Sequence, residues 1–326
     1  MTQQPTALVT GAGGQDGTYL ARALGAEGYR VVGTVSPYGE GSARLLTYAP
    51  RTETVALDIR DEEGLRALVA RVRPQEIYNL AGVSSVARSW AEPELTFACN
   101  TGPVATLVEA ALKLRADGVD ARLFQASSAE ALAGQSPYAR SKAAAADLVA
   151  AARTEHGLFG AVGTLFNHES PLRTDRFVTH KIAAGAAAIA AGRAESITLG
   201  NLEVVRDWGF AGEYVDAMRA LLRTPEPVDV QIGTGVAHTL RDLVETAFAA
   251  AGVDDPWAHV RQSADLLRPT DVEVQVADPA PALRHLGWRA RTTFATVIDH
   301  MVAVELQRGR TGVIDAPGYL FPGSPV

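Results

Sequence analysis

Cysteine is almost absent. A single residue, Cys99, stands in 326, so no intramolecular disulfide can form, and a reducing, cytoplasmic setting is the expectation. A basic excess is missing too. The formal net charge is −7, which argues against nucleic acid as a general partner, because a phosphate backbone needs a basic footprint. A small anionic ligand, which needs only a few arginines, stays open. Long apolar runs are also lacking. The most apolar stretch, residues 182–191, is too short and too alanine-rich to span a bilayer, so no membrane partner is expected. The first six residues, Met1-Thr2-Gln3-Gln4-Pro5-Thr6, have neither the basic nor the apolar region of a signal peptide. There is no internal repeat and no long low-complexity linker. Histidines number seven. The adjacent His168 and Glu169 have no partner at metal spacing, so they read as structural or pocket-lining, and no metal is expected.

What is present is ordinary for a globular enzyme: 47% hydrophobic and 21% charged residues. Short strand-like runs at 7–10, 30–35, 54–57, 76–81, 122–127 and 160–166 alternate with helical patterns at 18–27, 61–72, 94–114 and 137–156. That alternation predicts βαβ units and a parallel sheet covered on both faces. A further strand is expected at 228–232. Residues 167–199, and the chain after 233, break the alternation, with a helix expected at 240–251 and a short strand at 258–261. The domain expectation is therefore a sheet domain over 1–166 plus about 205–235, with a smaller domain from 167–204 and 236–326. The tail from 317 holds three prolines and is expected to wrap the surface or to be loosely ordered.

The first strand runs into Gly11-Ala12-Gly13-Gly14-Gln15-Asp16-Gly17, and a helical pattern follows. Strand, glycine turn and helix in that order make a dinucleotide pyrophosphate site. Glycines let backbone amides approach phosphate, and the helix directs its positive end at the anion. The spacing is Gly11, Gly14, Gly17 rather than the commoner G-x-G-x-x-G, and alone it is a weak signal.

A second motif strengthens it. Ser136-Pro137 is a good helix start, a serine cap before a proline at the first turn. Tyr138 and Lys142 then lie at i and i+4 on one face. A free phenol titrates near about 10, but an adjacent ammonium favours the phenolate. Tyr138 is then able to take a hydroxyl proton while hydride leaves the same carbon. The competing reading is an ordinary Tyr/Lys pair on a solvated helix. The preceding strand end, Gln125-Ala126-Ser127-Ser128, favours catalysis.

These motifs resemble the extended short-chain dehydrogenase/reductases that act on nucleotide sugars. The resemblance narrows further on. Gly14-Gln15-Asp16-Gly17, Tyr78-Asn79-Leu80-Ala81, Leu165-Phe166-Asn167-His168-Glu169-Ser170-Pro171, Phe177-Val178-Thr179-His180-Lys181-Ile182, Leu199-Gly200-Asn201-Leu202, Arg206-Asp207-Trp208-Gly209 and Arg268-Pro269-Thr270-Asp271-Val272 are similar to the pattern of the GDP-mannose 4,6-dehydratases. It covers about residues 6–306 and is most specific over 165–214.

The resemblance implies an α/β fold: a Rossmann doubly wound parallel sheet with a smaller C-terminal α/β substrate-binding domain. It implies a GDP-sugar substrate and transient oxidation at C4 of the hexose. Loss of water across C5 and C6 follows, with return of the hydride to C6. On that pattern Ser128, Glu130, Tyr138 and Lys142 are catalytic. Serine supplies the hydroxyl of a Thr-x-Glu unit, and Glu130 is the acid/base for C5 and C6. A surface glutamate at a helix start is the competing reading of Glu130. Cofactor contacts fall on Gly11, Gly14, Gln15, Asp16, Gly17, Ser36, Arg44, Asp58, Ile59, Leu80, Ala81, Tyr138 and Lys142, with Asp58 toward the adenine. Substrate contacts fall on Ser84, Asn167, Lys181, Arg206 and Arg268, the two arginines on the diphosphate. Trp208 is expected to pack rather than stack on a ligand. The family also pairs two helices per subunit, here 94–114 and 137–156, so a homodimer or a dimer of dimers is implied.

The chain departs from the family at three places. After residue 35 it has neither the acid that binds an NAD ribose nor the arginines that bind an NADP 2′-phosphate. Ser36 and Arg44 remain for a phosphate, so the cofactor expectation is NADP, with NAD possible. The segment from Glu130 to Tyr138 is short, and Gly82-Val83-Ser84-Ser85 replaces a usual Gln and His. Both changes border the hexose. A 4-epimerase using the same Tyr/Lys pair, and a non-catalytic nucleotide-sugar binder, therefore stand as alternatives.

Overall fold

The computed structural model describes residues 4–39, 41–266 and 272–324. The chain opens with β1 (Thr6–Thr10), α1 (Gln15–Ala26), β2 (Arg30–Val35), α2 (Gly41–Tyr48), β3 (Glu53–Ala56), α3 (Glu62–Val72) and β4 (Glu76–Asn79). It continues through α4 (Val86–Ala91), α5 (Pro93–Asn100), α6 (Gly102–Ala116), β5 (Arg122–Ser128), α7 (Ala129–Ala133), α8 (Pro137–His156) and β6 (Phe159–Leu165). Next come β7 (Asn167–Glu169), α9 (Val178–Ala190), β8 (Ile197–Leu199), β9 (Val205–Arg206), β10 (Trp208–Phe210), α10 (Ala211–Leu221) and β11 (Val230–Ile232). The last elements are β12 (His238–Thr239), α11 (Leu240–Ala250), β13 (Val260–Gln262), β14 (Val274–Gln275), α12 (Ala280–Leu286) and α13 (Phe294–Thr311).

Two compact units result. The first is Met1–Leu165, Val215–Ile232 and Ala280–Trp288; the second is Phe166–Tyr214, Gly233–Pro279 and Arg289–Val326. The sequence reading gives 205–214 to the sheet domain. The structure gives this stretch to the second unit, because β9 pairs with β12 and β14, and β10 with β7, rather than with the large sheet. Residues 280–288 move the other way, since α12 packs against β11.

The first unit carries a parallel seven-stranded sheet in the order β11-β6-β5-β4-β1-β2-β3. From β1 the chain winds outward to β3, then crosses back to set β4 against β1. The strand order therefore reverses between β1 and β4, and ligands bind at the carboxyl ends of such a switch point. On one face Leu8, Val32, Ile77, Leu123 and Val162 from the strands pack with Leu65 and Val69 of α3, Leu107 and Ala111 of α6, and Ala145 and Val149 of α8. Helix α1, with α2 beside it, packs against β1 and β2. This is why the strands read as apolar runs rather than as alternations. The helix expected at 94–114 is two helices, α5 and α6, broken at Thr101 before Gly102-Pro103.

The second unit is built on α9, α11 and α13, which pack on one another, and Ile182, Ala186, Leu243, Val244, Val297 and Met301 along them are buried. The strand expected at 258–261 is a 3-10 turn, Pro256–His259, followed by β13 paired with β8. The tail is tied down: Leu320 is buried, and the imidazole of His300 bonds the carbonyl of Tyr319 at 2.9 Å. Among the described residues no helix is long and apolar enough to cross a membrane.

Candidate active site

The glycine loop leaves the carboxyl end of β1. Gly11 has φ +69°, and a Cβ there would stand 2.9 Å from the backbone of Ala81 at the end of β4. Gly17 is tighter, with a Cβ meeting the Gly11 carbonyl at 2.4 Å and Ala12 Cα at 2.6 Å. Glycine is required at both positions because backbone lies against backbone. Thr10 locks the junction: its hydroxyl donates to Asn79 Oδ1 at 2.7 Å and accepts from the amides of Leu80 and Ala81. The turn delivers the chain to the start of α1, where Gln15 bonds Asp16. A cradle of this shape, closed to any side chain and ending in a helix N-terminus, fits a dinucleotide pyrophosphate.

The flank of the loop is polar. The Ser36 hydroxyl accepts the amide of Tyr38, and Arg44 Nη1 donates to the Gly13 carbonyl at 3.4 Å while its Nε is buried without a partner. Asp58 is gripped by the Arg60 guanidinium at 2.5 Å, which holds its carboxyl below the usual range. Ile59 is half-buried against the core.

The chemical residues follow from β5. Ser128 ends the strand and caps α7, its hydroxyl accepting the amide of Glu130 at 3.3 Å. Glu130 is therefore held in the first turn of a five-residue helix, half-exposed. Gly134 ends α7 at φ +65°, and Ser136 caps α8 through the amide of Ala139 at 3.0 Å. The short segment before Tyr138 is thus fully used by a one-turn helix, its glycine cap and the next serine cap. Tyr138 and Lys142 follow in α8, 8% and 7% exposed. Lys142 Nζ donates to the Ala126 carbonyl at 3.0 Å, and burial pushes its pKa down to about 8 against the opposing pull of Asp16.

One residue of this apparatus escapes the sequence reading. Asn100, at the break between α5 and α6, accepts the Val83 amide at 2.7 Å. It donates to the Val83 carbonyl at 3.1 Å and to the Ser141 hydroxyl at 2.9 Å. Ser141 in turn donates to the Tyr138 carbonyl at 2.8 Å. Asn100 thereby ties the loop carrying the exposed Ser84 to the helix carrying Tyr138. Its only sequence signal is an asparagine, a poor helix-interior residue, inside a helical run.

Of the expected substrate contacts, Asn167, Lys181 and Arg206 lie in the second unit. Asn167 is half-buried in β7, and its carbonyl accepts the Tyr214 hydroxyl at 3.4 Å. Lys181 lies exposed in the first turn of α9. Arg206 is 5% exposed, and its Nη1 donates to the carbonyls of Val205 and Val272 at 2.9 and 2.7 Å. Arg268 lies outside the described residues. His168 bonds the Phe166 carbonyl and stacks on Tyr214, while Glu169 takes the Thr179 hydroxyl and the Arg173 guanidinium, each at 2.7 Å. Both have structural partners. Among the described residues no cluster of three His, Cys, Asp or Glu is placed to hold a metal. Trp208 is buried against Phe294.

A parallel doubly wound sheet, a glycine cradle at its switch point, and a Tyr-x-x-x-Lys helix after β5 define a short-chain dehydrogenase/reductase of the extended type. Comparison with known proteins narrows this. The dTDP-glucose 4,6-dehydratase DesIV of Streptomyces venezuelae superposes with a TM-score of 0.81 at 24% identity, covering 95% of this chain and all of that one. A UDP-glucose 4-epimerase of Thermotoga maritima gives 0.81 at 22% identity over 94% of this chain and 99% of its own. These two share the fold. In sequence, GDP-mannose 4,6 dehydratase 1 of Arabidopsis thaliana is 34% identical over 96% of this chain and 93% of its own length. The family model of the GDP-mannose 4,6 dehydratases matches residues 8–301. The chain belongs to the GDP-mannose 4,6 dehydratase family.

Proposed function

We propose that the chain dehydrates GDP-mannose, or a closely related GDP-sugar, to the 4-keto-6-deoxy sugar, with NADP as its resident cofactor. The observation that carries this is local to the first unit. Ser128 caps α7 and holds the backbone of the half-exposed Glu130 in its first turn, and the next helix carries Tyr138 one turn from a buried Lys142.

Each residue then has a task. The Lys142 ammonium favours the Tyr138 phenolate, which takes the C4 hydroxyl proton. When bound, the nicotinamide supplies hydride acceptance from C4 and its return to C6. The C4 ketone acidifies the neighbouring C5–H. Glu130 takes that proton and delivers one to the departing C6 hydroxyl, so water leaves with no net redox change. Ser128 keeps a hydroxyl hydrogen free for the C4 oxygen, because its bond to Glu130 is made as an acceptor. Gly11, Gly14, Gln15, Asp16, Gly17, Leu80 and Ala81 line the pyrophosphate turn, Asp58 and Ile59 the adenine side. Arg44, with its unpaired Nε, and Ser36 are the residues offered to the 2′-phosphate. Ser84, Asn167, Lys181 and Arg206 take the substrate.

The single cysteine suits a cytoplasmic setting. A homodimer through α5, α6 and α8 is consistent with the exposed Phe97 and Leu148. Incubation with GDP-mannose and NADP, followed by mass spectrometry, tests the activity. The expected product is lighter by one water. Turnover to an isomer of unchanged mass would instead support an epimerase, and stabilisation by nucleotide sugars without turnover would support a binder.

A further inference from the structure

Arg206 has a neighbour whose chemistry is unused. In the three-stranded sheet of the second unit, Arg206 of β9 pairs directly with His238 of β12 on one side and with Gln275 of β14 on the other. Residues paired across adjacent strands project from the same face. Gln275 is 7% exposed, and its amide Nε2 has no hydrogen-bond partner. A buried N–H without an acceptor is costly, and native proteins keep few of them. A leucine would fill the space without that cost.

The two side chains are also held in register. Arg206 Nη1 donates to the carbonyls of Val272 and Glu273, the residues leading into β14. The amide of Asp207 donates to the Gln275 carbonyl at 3.0 Å. Arg206 brings the charge that suits a diphosphate. A neutral amide beside it both donates and accepts, which suits a hydroxyl.

We propose that Gln275 donates its free amide N–H to a hexose hydroxyl next to the diphosphate, and thereby selects the hexose. The assignment rests on the reading of Arg206 as a diphosphate ligand of a GDP-sugar enzyme. The sequence reading gives no role to Gln275, because one glutamine in a two-residue strand carries no motif.

The test uses the full-length protein and two variants, Gln275→Leu and the volume-matched Gln275→Met. Affinity for GDP-mannose and for GDP is measured by calorimetry, with turnover of GDP-mannose and of its C2 epimer GDP-glucose, and thermal melting without ligand. Wild type turning over GDP-mannose establishes the underlying reading; failure there removes that reading and this proposal together. With wild type active, both variants are expected to melt at or above the wild-type temperature. They bind GDP-mannose about tenfold more weakly and GDP within about twofold of wild type. Their preference for GDP-mannose over GDP-glucose narrows. Unchanged GDP-mannose affinity overturns the proposal. So does an equal loss for GDP and GDP-mannose, which would put the amide on phosphate, or a lowered melting temperature in both variants, which would make Gln275 structural.

Discussion

Lys142 is buried, and burial holds its pKa at about 8 rather than the ordinary 10.5. Below about pH 8 the ammonium is charged in the folded and unfolded chains alike, and folding bears the cost of burying it. Between about 8 and 10.5 the folded chain gives up its proton first, so that cost is relieved as pH rises. Catalysis runs the opposite way, because a neutral amine no longer favours the phenolate. Turnover is expected to fall as pH rises through about 8, while thermal stability does not fall with it. A kcat profile measured beside melting curves checks this; a rate that stays flat well above that pH would contradict it. Glu130 has a separate step. Glu130→Gln is expected to slow water loss by about 10²- to 10⁴-fold while C4 oxidation persists, read as reduced nicotinamide absorbance on mixing with GDP-mannose. Wild-type water loss in that variant would remove Glu130 from the mechanism. At this scale the placing of Tyr138 and Lys142 one turn apart in a capped helix, and of a glycine turn after β1, was legible because spacing is itself the signal. Asn100 and Gln275 were not, because each acts through neighbours remote in sequence.

Among the elements, the run from β5 to α8 carries the most consequence for the least chain. Ser128 caps α7, Gly134 closes it in the left-handed region, and Ser136 opens α8. Ser136→Ala removes the bond to the Ala139 amide and is expected to cost about 1 kcal/mol of stability, measured by denaturant unfolding. A larger loss of kcat than of stability is expected as well, since Tyr138 stands in the first turn. The break between α5 and α6 has a similar role. Asn100→Ala leaves the Val83 amide and carbonyl without their buried partners. It is expected to lower both stability and kcat, with GDP affinity little changed. The strands and long helices were legible from alternation and periodicity. The break at Thr101 was not, since Ala and Leu run through both halves of the helical pattern. Nor was α7, whose five residues are too few to show a period.

For the whole molecule, the sequence announced a parallel sheet and a second domain but misjudged how the chain is shared between them. Short strands such as β9 and β14, two residues each, take their partners from tertiary pairing rather than from local pattern. That is why 205–214 goes with the second unit. Helix α12 joins the first unit for the same kind of reason, its neighbour β11 lying far upstream in sequence. Assembly is also a property of this scale. Leu148, exposed on α8, is expected to lie in the proposed dimer contact. Leu148→Arg should then shift the sedimentation of the protein toward monomer, and an unchanged profile would move the contact elsewhere.

In the proposed mechanism a carboxylate removes the C5 proton of a GDP-hexose after its neighbouring carbon has been oxidised. Turnover of GDP-mannose in deuterated water tests it most directly, with the product read by NMR. Solvent deuterium is expected at C5, and none is expected at C6 from the returning hydride. Product carrying no deuterium at C5, with the C6 hydroxyl retained, would contradict it.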